Sequence, residues 1–517
     1  MKLNCTSSII SLLSLILYFS PSFGFFLVNN NPTFVLTWTS KQKKPLIPRY
    51  TRLERVICSQ QLVPFDEFGI GYYGSSRFPS DTNIIFAPNA LEIGVIDLEA
   101  FGFRRPLVLH GWNAARADAL FYELEPRSFE IETHSIDLEP KFEDILSAAQ
   151  LANDHQADCI IAMGGGSVLD AGKLVAFIAY SKESPYTFLN NLIASRTKAL
   201  EAMRPQNMME EDIGTSPIPL VTIPTVAGTG SETNPISILY TEESIIPGSK
   251  RVHLGVPRQF AQLPPPFLCL AQPGLSRFLP TDKTWYGAFA ALCGLIDGFL
   301  AAKGFMTDML CIQNLQRIVP VFEACPGDLN YKEFQPHRET FLMSSVINGM
   351  TRMQTGPSLC HIGACVLGTL YGVPYSIGVT LLAPAVLAVT LDQLVDSDEE
   401  EALLAEIRAT RLAEYLNGAE GTDKQYTVEW LLSQIRQKRV PSLDTFKINA
   451  HDAAEFVEEW KAALGDLQGS TSCLAALSDE NLENVFLEAL NYKSEPPFPV
   501  DDNEDPDLDP GNYAGEV

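Results

Sequence analysis

The chain has 517 residues, 46% hydrophobic and 19% charged: enough apolar surface for more than one packed core, and the wrong composition for a largely disordered protein. Its formal net charge of −26 produces a field that repels phosphate backbones and anionic lipid surfaces, which argues against nucleic acid as a partner. Ten scattered cysteines without a single CxxC pair read as buried free thiols in a reducing compartment, not as a disulfide framework.

The first residues read as an address. Lys2 precedes an apolar run from Ile9 to Phe19, too short for a comfortable membrane span, so residues 1–24 are assigned to a signal peptide. Residues 25–62 carry Lys41, Lys43, Lys44, Arg49, Arg52 and Arg55 against a single acid, Glu54, a transit-peptide composition. The junction Ser22-Phe23-Gly24-Phe25 is similar to that of the bipartite leaders that direct proteins to the complex plastids of algae. Plain secretion with a basic propeptide is the alternative destination, and no membrane contact is expected after processing.

From Asn83 the pattern becomes α/β. Short apolar runs at Ile84–Phe86, Pro106–Leu109, Cys159–Met163 and Leu220–Ile223, and the alternating stretch Glu130–Ile136, read as strands, with helical stretches at Ala114–Leu124 and Phe142–His155 between them. Alternating strands and helices imply a doubly wound parallel sheet of Rossmann-like type over 75–275. The stretch 195–215 reads as a surface insertion. Past Pro280 the strand pattern stops, and Trp285–Ala302, Met306–Phe322, Arg338–Met353, Leu359–Leu370 and Val379–Leu391 read as helices of an all-α domain over 276–492. An acidic run at 396–401 reads as a solvated helix start, and 493–517 as an acidic disordered tail.

Two glycine-rich loops carry the chemistry, each placed straight after a strand. The first is Gly164-Gly165-Gly166-Ser167-Val168-Leu169-Asp170, followed by Ala-Gly-Lys173. Glycines there let backbone N–H groups approach a phosphate, and the helix that follows adds uncapped donors and the positive end of its dipole. The second, Pro224-Thr225-Val226-Ala227-Gly228-Thr229-Gly230-Ser231-Glu232, offers hydroxyl and amide donors at the neighbouring strand end.

Together these motifs resemble the iron-containing alcohol dehydrogenases, the group III class related to dehydroquinate synthase. The resemblance covers about residues 83–386 and implies binding of NAD or NADP. It assigns Gly164, Gly165, Gly166, Ser167 and Asp170 to the pyrophosphate loop, and Thr225, Thr229 and Ser231 to the ribose and nicotinamide. NAD-preferring members carry an Asp where this chain has Gly111. Without a carboxylate to repel a 2′-phosphate, the expectation leans towards NADP.

The resemblance also implies a divalent metal held by one Asp and three His in the helical domain, and here the pattern departs. The first two ligand positions are Ala290 and Gly294. Of the others, His361 is kept, Cys365 replaces a neighbouring His, and Tyr375 replaces the last ligand. One imidazole does not hold iron or zinc, so no metal is assigned. Two readings follow. One is a metal-independent NAD(P)-linked oxidoreductase of small carbonyl compounds or alcohols, with His361 and Tyr375 as the catalytic candidates, either of which would donate the proton. The other is an inactive nucleotide-binding pseudoenzyme. A lyase of the dehydroquinate synthase type would need metal ligands and basic residues that the helical half lacks. Oligomeric state stays open, with a homo-oligomer compatible.

Overall fold

The computed structural model describes residues 82–111, 113–136, 141–179, 218–240, 251–254, 263, 265–277, 279–301, 304–394, 400–464 and 478–495. Both leader segments, the 195–215 insertion and nearly all of the acidic tail lie outside these residues. The described residues all fall within one unit of the chain, Val56–Val517.

The α/β half is built on β1 (Asn83–Phe86), β2 (Pro106–Gly111), β3 (Glu132–Ile136), β4 (Cys159–Gly164) and β5 (Leu220–Pro224). A small antiparallel ribbon, β6 (Ser237–Tyr240) with β7 (Arg251–Leu254), stands apart, and β8 (Leu268–Ala271) returns to the main sheet. That sheet is parallel throughout, in the order β1-β8-β5-β4-β2-β3. Helices α1 (Ala90–Phe101), α2 (Asp118–Leu124), α3 (Phe142–His155) and α4 (Gly166–Ile178) cover it. The pleat explains the near-continuous apolar sequence of the central strands. Leu107, Leu109, Ile160 and Ala162 face α3 and α4, while Val108, Ile161 and Met163 face α1 and α2.

Strands β6, β7 and β8 were not expected from the sequence. Segment β8 is four residues long and follows the prolines at 264–266, so it carries no helical or alternating period of its own. Only pairing with β1 and β5 reveals it as a strand.

Two features of the topology position the site. First, β2 leads to β3 on one side, whereas β4 leads to β5 on the other, so the winding reverses between β2 and β4 and opens a crevice at their carboxyl ends. Second, Gly164 is paired with Pro224, and Thr225 N–H donates to the Gly164 carbonyl at 3.0 Å. Both glycine-rich loops therefore leave the sheet side by side.

The second half consists of α5 (Thr281–Leu300), α6 (Phe305–Ala324), α7 (Tyr331–Thr355), α8 (Leu359–Tyr371), α9 (Tyr375–Leu394), α10 (Glu400–Asn417), α11 (Tyr426–Gln437), α12 (Ala453–Leu464) and α13 (Asp479–Asn491). Helix α7 begins seven residues before the expected Arg338, because a capping box of Asn330 and Glu333 starts it. Helix α9 starts at Tyr375, four residues before the expected Val379. It is long and apolar enough to cross a membrane, but 83% of its most apolar window is buried inside the protein, as a core helix requires. Packed rings of Trp285, Phe289, Phe322, Phe334 and Phe341 form the centre of this half.

Within the α/β half, a buried cation ties the second glycine-rich loop to α4. Lys173 of α4 is 1% exposed, and its Nζ donates to Asp170 Oδ1 (2.9 Å), Ser231 Oγ (2.6 Å), Asn234 Oδ1 (3.4 Å) and the Ile236 carbonyl (2.5 Å). Burial pulls its ammonium below the ordinary lysine value, and Asp170 opposes that. Replacing Lys173 with Met strands the Asp170 carboxylate in the interior, so Lys173→Met is expected to lower stability by about 3–5 kcal/mol, measured by urea unfolding; a change below about 1 kcal/mol would refute this role for the ammonium.

Candidate active site

The second loop is held rigid from both directions. Within the α/β half, Ser231 Oγ bonds the Asp170 carboxylate, and Asp170 Oδ2 accepts from Ile238 N–H at 3.0 Å. From α7, Ser345 Oγ accepts from Gly228 N–H (2.7 Å) and Gly230 N–H (3.3 Å), and Asn348 Nδ2 donates to the Gly228 carbonyl (2.9 Å). Backbone meets backbone at two places: a Cβ on Gly230 would collide with Gly349, and one on Gly287 of α5 with the Ala227 carbonyl. Gly230, at φ +70°, also occupies the left-handed region that glycine favours.

Between this loop, the start of α4 and the helical half lies a cleft whose lining includes Gly166, Ser167, Thr229, Arg352, His361 and Tyr375. Asp170, Ser231, Ala290 and Ser376 also reach it. Helix α4 starts at Gly166 with Gly165 as its N-cap, and no side chain caps it, so its first N–H groups face the cleft region as donors for an anion. A Cβ on Gly166 would press on Thr229 at 3.1 Å, so the bare glycine keeps the cradle open. Thr225 Oγ1 is buried without a hydrogen-bond partner at the edge of a second groove, lined also by Asn113, Arg116 and Arg277. Uncapped N–H donors, an orphan hydroxyl and a glycine cradle fit a dinucleotide.

The remaining residues singled out in the sequence fall into two groups. Asp170 and Ser231 touch the cleft, but their polar atoms are spent on each other, on Lys173 and on Ile238, so they brace the loop rather than contact a phosphate. Gly111 and Gly164 are buried at strand ends outside the cleft lining. A Cβ on Gly164 would lie 2.6 Å from Val168, so this glycine admits the close packing of strand and helix.

At the far wall, Ser358 caps α8 by accepting from His361 N–H at 3.1 Å, which fixes the imidazole at the helix start. His361 Nδ1 lies 2.7 Å from the Tyr375 hydroxyl and 2.8 Å from Arg352 Nη1, and the same Nη1 donates to Tyr375 Oη at 3.3 Å. A guanidinium can only donate, so Nδ1 is the acceptor and the proton of the neutral ring sits on Nε2. Burial pushes the Tyr375 phenol up to about 12 although Arg352 pulls it down, so the hydroxyl keeps its proton at neutral pH. Burial alone would lower the Arg352 guanidinium, but Tyr375, Asp297 and Cys365 hold it above its ordinary value.

Arg352 went unnoticed in the sequence, yet a signal was there. It is the only Asp, Glu, Lys or Arg between Glu339 and Asp392. A lone charge in so apolar a stretch is expensive to bury and marks a site.

These residues do not fit a divalent metal. Among the described residues, no group of three or more His, Cys, Asp or Glu side chains could hold one. The lone pair of His361 Nδ1 is engaged by donors, and a fixed positive charge stands beside it. The room that a side chain at 294 would need is taken by the Asn348 carboxamide.

The matches to known proteins agree with this architecture. Residues 81–258 match the model of the iron-containing alcohol dehydrogenase family. The match covers about a third of the chain and marks a similarity to that family over the α/β half. Among curated relatives, the probable alcohol dehydrogenase EutG of Escherichia coli is 28% identical over 250 residues, 48% of this chain and 55% of that protein. The chain thus spans about half the length of such a relative. An iron-containing alcohol dehydrogenase of Thermotoga maritima shares the fold, with a TM-score of 0.61 at 20% identity over 81% of this chain and 100% of that one. So does a sulfoacetaldehyde reductase of Bifidobacterium kashiwanohense, solved with NAD+, with a TM-score of 0.63 at 15% identity over 81% and 100%.

Restoring a single family ligand should fail for a steric reason. Gly294→His is expected to displace Asn348 from Gly228 and to cost about 2–4 kcal/mol through overpacking and the lost hydrogen bond. Thermal unfolding with and without added zinc tests this, and a stable variant that gains zinc binding would contradict it.

Proposed function

We propose that this chain is an NAD(P)-linked oxidoreductase that interconverts small carbonyl compounds and alcohols without a catalytic metal. The observation that carries the reading is the cleft itself, in which the two cofactor loops face Arg352, His361 and Tyr375. A cleft plugged by apolar residues around Ala290 would instead favour an inactive nucleotide-binding protein. Ala290 is one wall of an open cleft with three hydrogen-bonding side chains opposite the loops, which supports the oxidoreductase. The family-model match over residues 81–258 and the NAD+ complex of a structural neighbour support a nicotinamide cofactor.

The bound cofactor would supply or accept hydride at the substrate carbon. The protein's own contribution is to the oxygen. In the direction of reduction, the carbonyl gains hydride at carbon and a proton at oxygen. Tyr375 gives that proton, the resulting phenolate rests against the Arg352 guanidinium, and solvent returns the proton. His361 orients the phenol through Nδ1. For the cofactor, the absence of a carboxylate at Gly111 and the presence of Arg116 and Arg277 on the second groove favour the 2′-phosphate of NADP. The leader composition at 1–62 supports a plastid destination, with the small-molecule substrate met there.

The full chain, titrated with NADPH and NADH and followed by nucleotide fluorescence, should bind both, NADPH more tightly. Ser167→Glu should weaken binding about 100-fold by setting a carboxylate against the phosphates. Tyr375→Phe should retain binding and lower kcat about 100-fold in a carbonyl-reduction assay, and turnover should survive exhaustive chelation. Absence of nucleotide binding, or activity that appears only with added iron or zinc, would overturn the reading.

A further inference from the structure

Two buried arginines of this protein differ in a way that bears on substrate. Arg408 is 1% exposed and fully compensated: it forms a two-pronged ion pair with Asp308, donates to the Phe299 carbonyl and stacks over the Phe299 ring at 4.5 Å. Arg352 is 4% exposed and has no such partner. Its hydrogen bonds go from Nη1 alone, to the neutral His361 and Tyr375, and no described carboxylate lies within ion-pair distance. Asp297 is felt electrostatically, but it forms no hydrogen bond to the guanidinium.

The other charges around the cleft are accounted for. Asp170 is neutralised by Lys173, and Glu232 is sealed beneath the loop at 0% exposed. Arg352 is thus the one cleft-lining formal charge, among the described residues, without an ionic partner. A buried cation without a direct ion pair is costly, and its planar fork is shaped for a carboxylate. Nη1 stands 3.3 Å from the Tyr375 hydroxyl, so an anion held on the guanidinium brings the carbon next to it within reach of the proton donor.

Building on the oxidoreductase reading, we infer that the substrate carries a carboxylate adjacent to the reacting carbon, a 2-oxo acid or its 2-hydroxy acid, and that Arg352 binds that carboxylate. Arg352 is then the specificity-determining residue, holding the anion while Tyr375 protonates the neighbouring oxygen. The reaction is balanced: the oxo acid, reduced cofactor and one proton give the hydroxy acid and oxidised cofactor.

The test compares two aldehydes of equal length, glyoxylate and the neutral glycolaldehyde, with the full chain. Wild type should show a kcat/KM for glyoxylate about 30- to 100-fold above that for glycolaldehyde, the scale of a hydrogen bond to a charged group. Arg352→Gln should collapse that ratio to within about threefold of unity, and Arg352→Lys, which keeps the charge but loses the fork, should leave it intermediate. A wild-type ratio near unity, or an unchanged ratio in Arg352→Gln, overturns the inference. Binding is read separately by thermal shift with oxalate on the cofactor-loaded protein. Oxalate should stabilise wild type, and Arg352→Lys should need about tenfold more of it. If oxalate binds in this Arg352-dependent way while neither aldehyde turns over, the anion site stands and the oxidoreductase reading falls. If Arg352→Gln does not fold, Arg352→Lys and the wild-type oxalate response decide, and no stabilisation by oxalate overturns the inference.

Discussion

Everything at the site depends on how the loop after β5 is clamped. The Lys173 ammonium gathers Asp170, Ser231, Asn234 and the Ile236 carbonyl around one buried charge, which ties the loop to the helix opening at Gly166. Ser345 and Asn348 grip the opposite side through the backbone of Gly228 and Gly230. The two sets of bonds share no atom, so the loop is fastened to both halves independently. Pre-organisation of this kind lets backbone donors act on a ligand without first being ordered.

The charge balance of the cleft follows from that rigidity. A flexible wall would let the Arg352 side chain leave for water. Here its helix is fastened to the loop through Ser345 and Asn348, seven and four residues before it. The guanidinium is therefore confined beside His361 and Tyr375. Asp297 offsets part of its charge from deeper in the core, where burial pushes the carboxyl up to about 6 against the pull of Ser358 and Arg352. The chain as a whole carries −26, so a positive point inside a cleft concentrates anions only at short range, where low dielectric makes the contact strong and solvent screening does not reach.

A fixed arginine and a metal ion also differ as cations. A metal presents an open coordination position and polarises one oxygen. A guanidinium presents a flat row of donors and recognises a planar anion. Asn348, which fills the space at Gly294 and holds Gly228, makes the present arrangement self-consistent: the carboxamide that would crowd a ligand at 294 is the same one that fixes the loop.

The fold class was legible in the sequence because buried parallel strands and amphipathic helices write their period into it. Cys159–Gly164 and Phe142–His155 lie at or within a residue of where the pattern puts them. The glycine-rich loops were legible too, since a phosphate cradle needs bare backbone at fixed spacing after a strand. Residue type alone also told that Ala290 and Gly294 offer no ligand atoms. Strand β8 and the role of Arg352 were decided only by tertiary structure. Four residues after a proline run have no period to read, and they become a strand only when β1 and β5 supply hydrogen-bond partners. A lone arginine in an apolar stretch marks a candidate, but only the fold decides whether a carboxylate meets it, as Asp308 meets Arg408, or whether, as at Arg352, only neutral acceptors do.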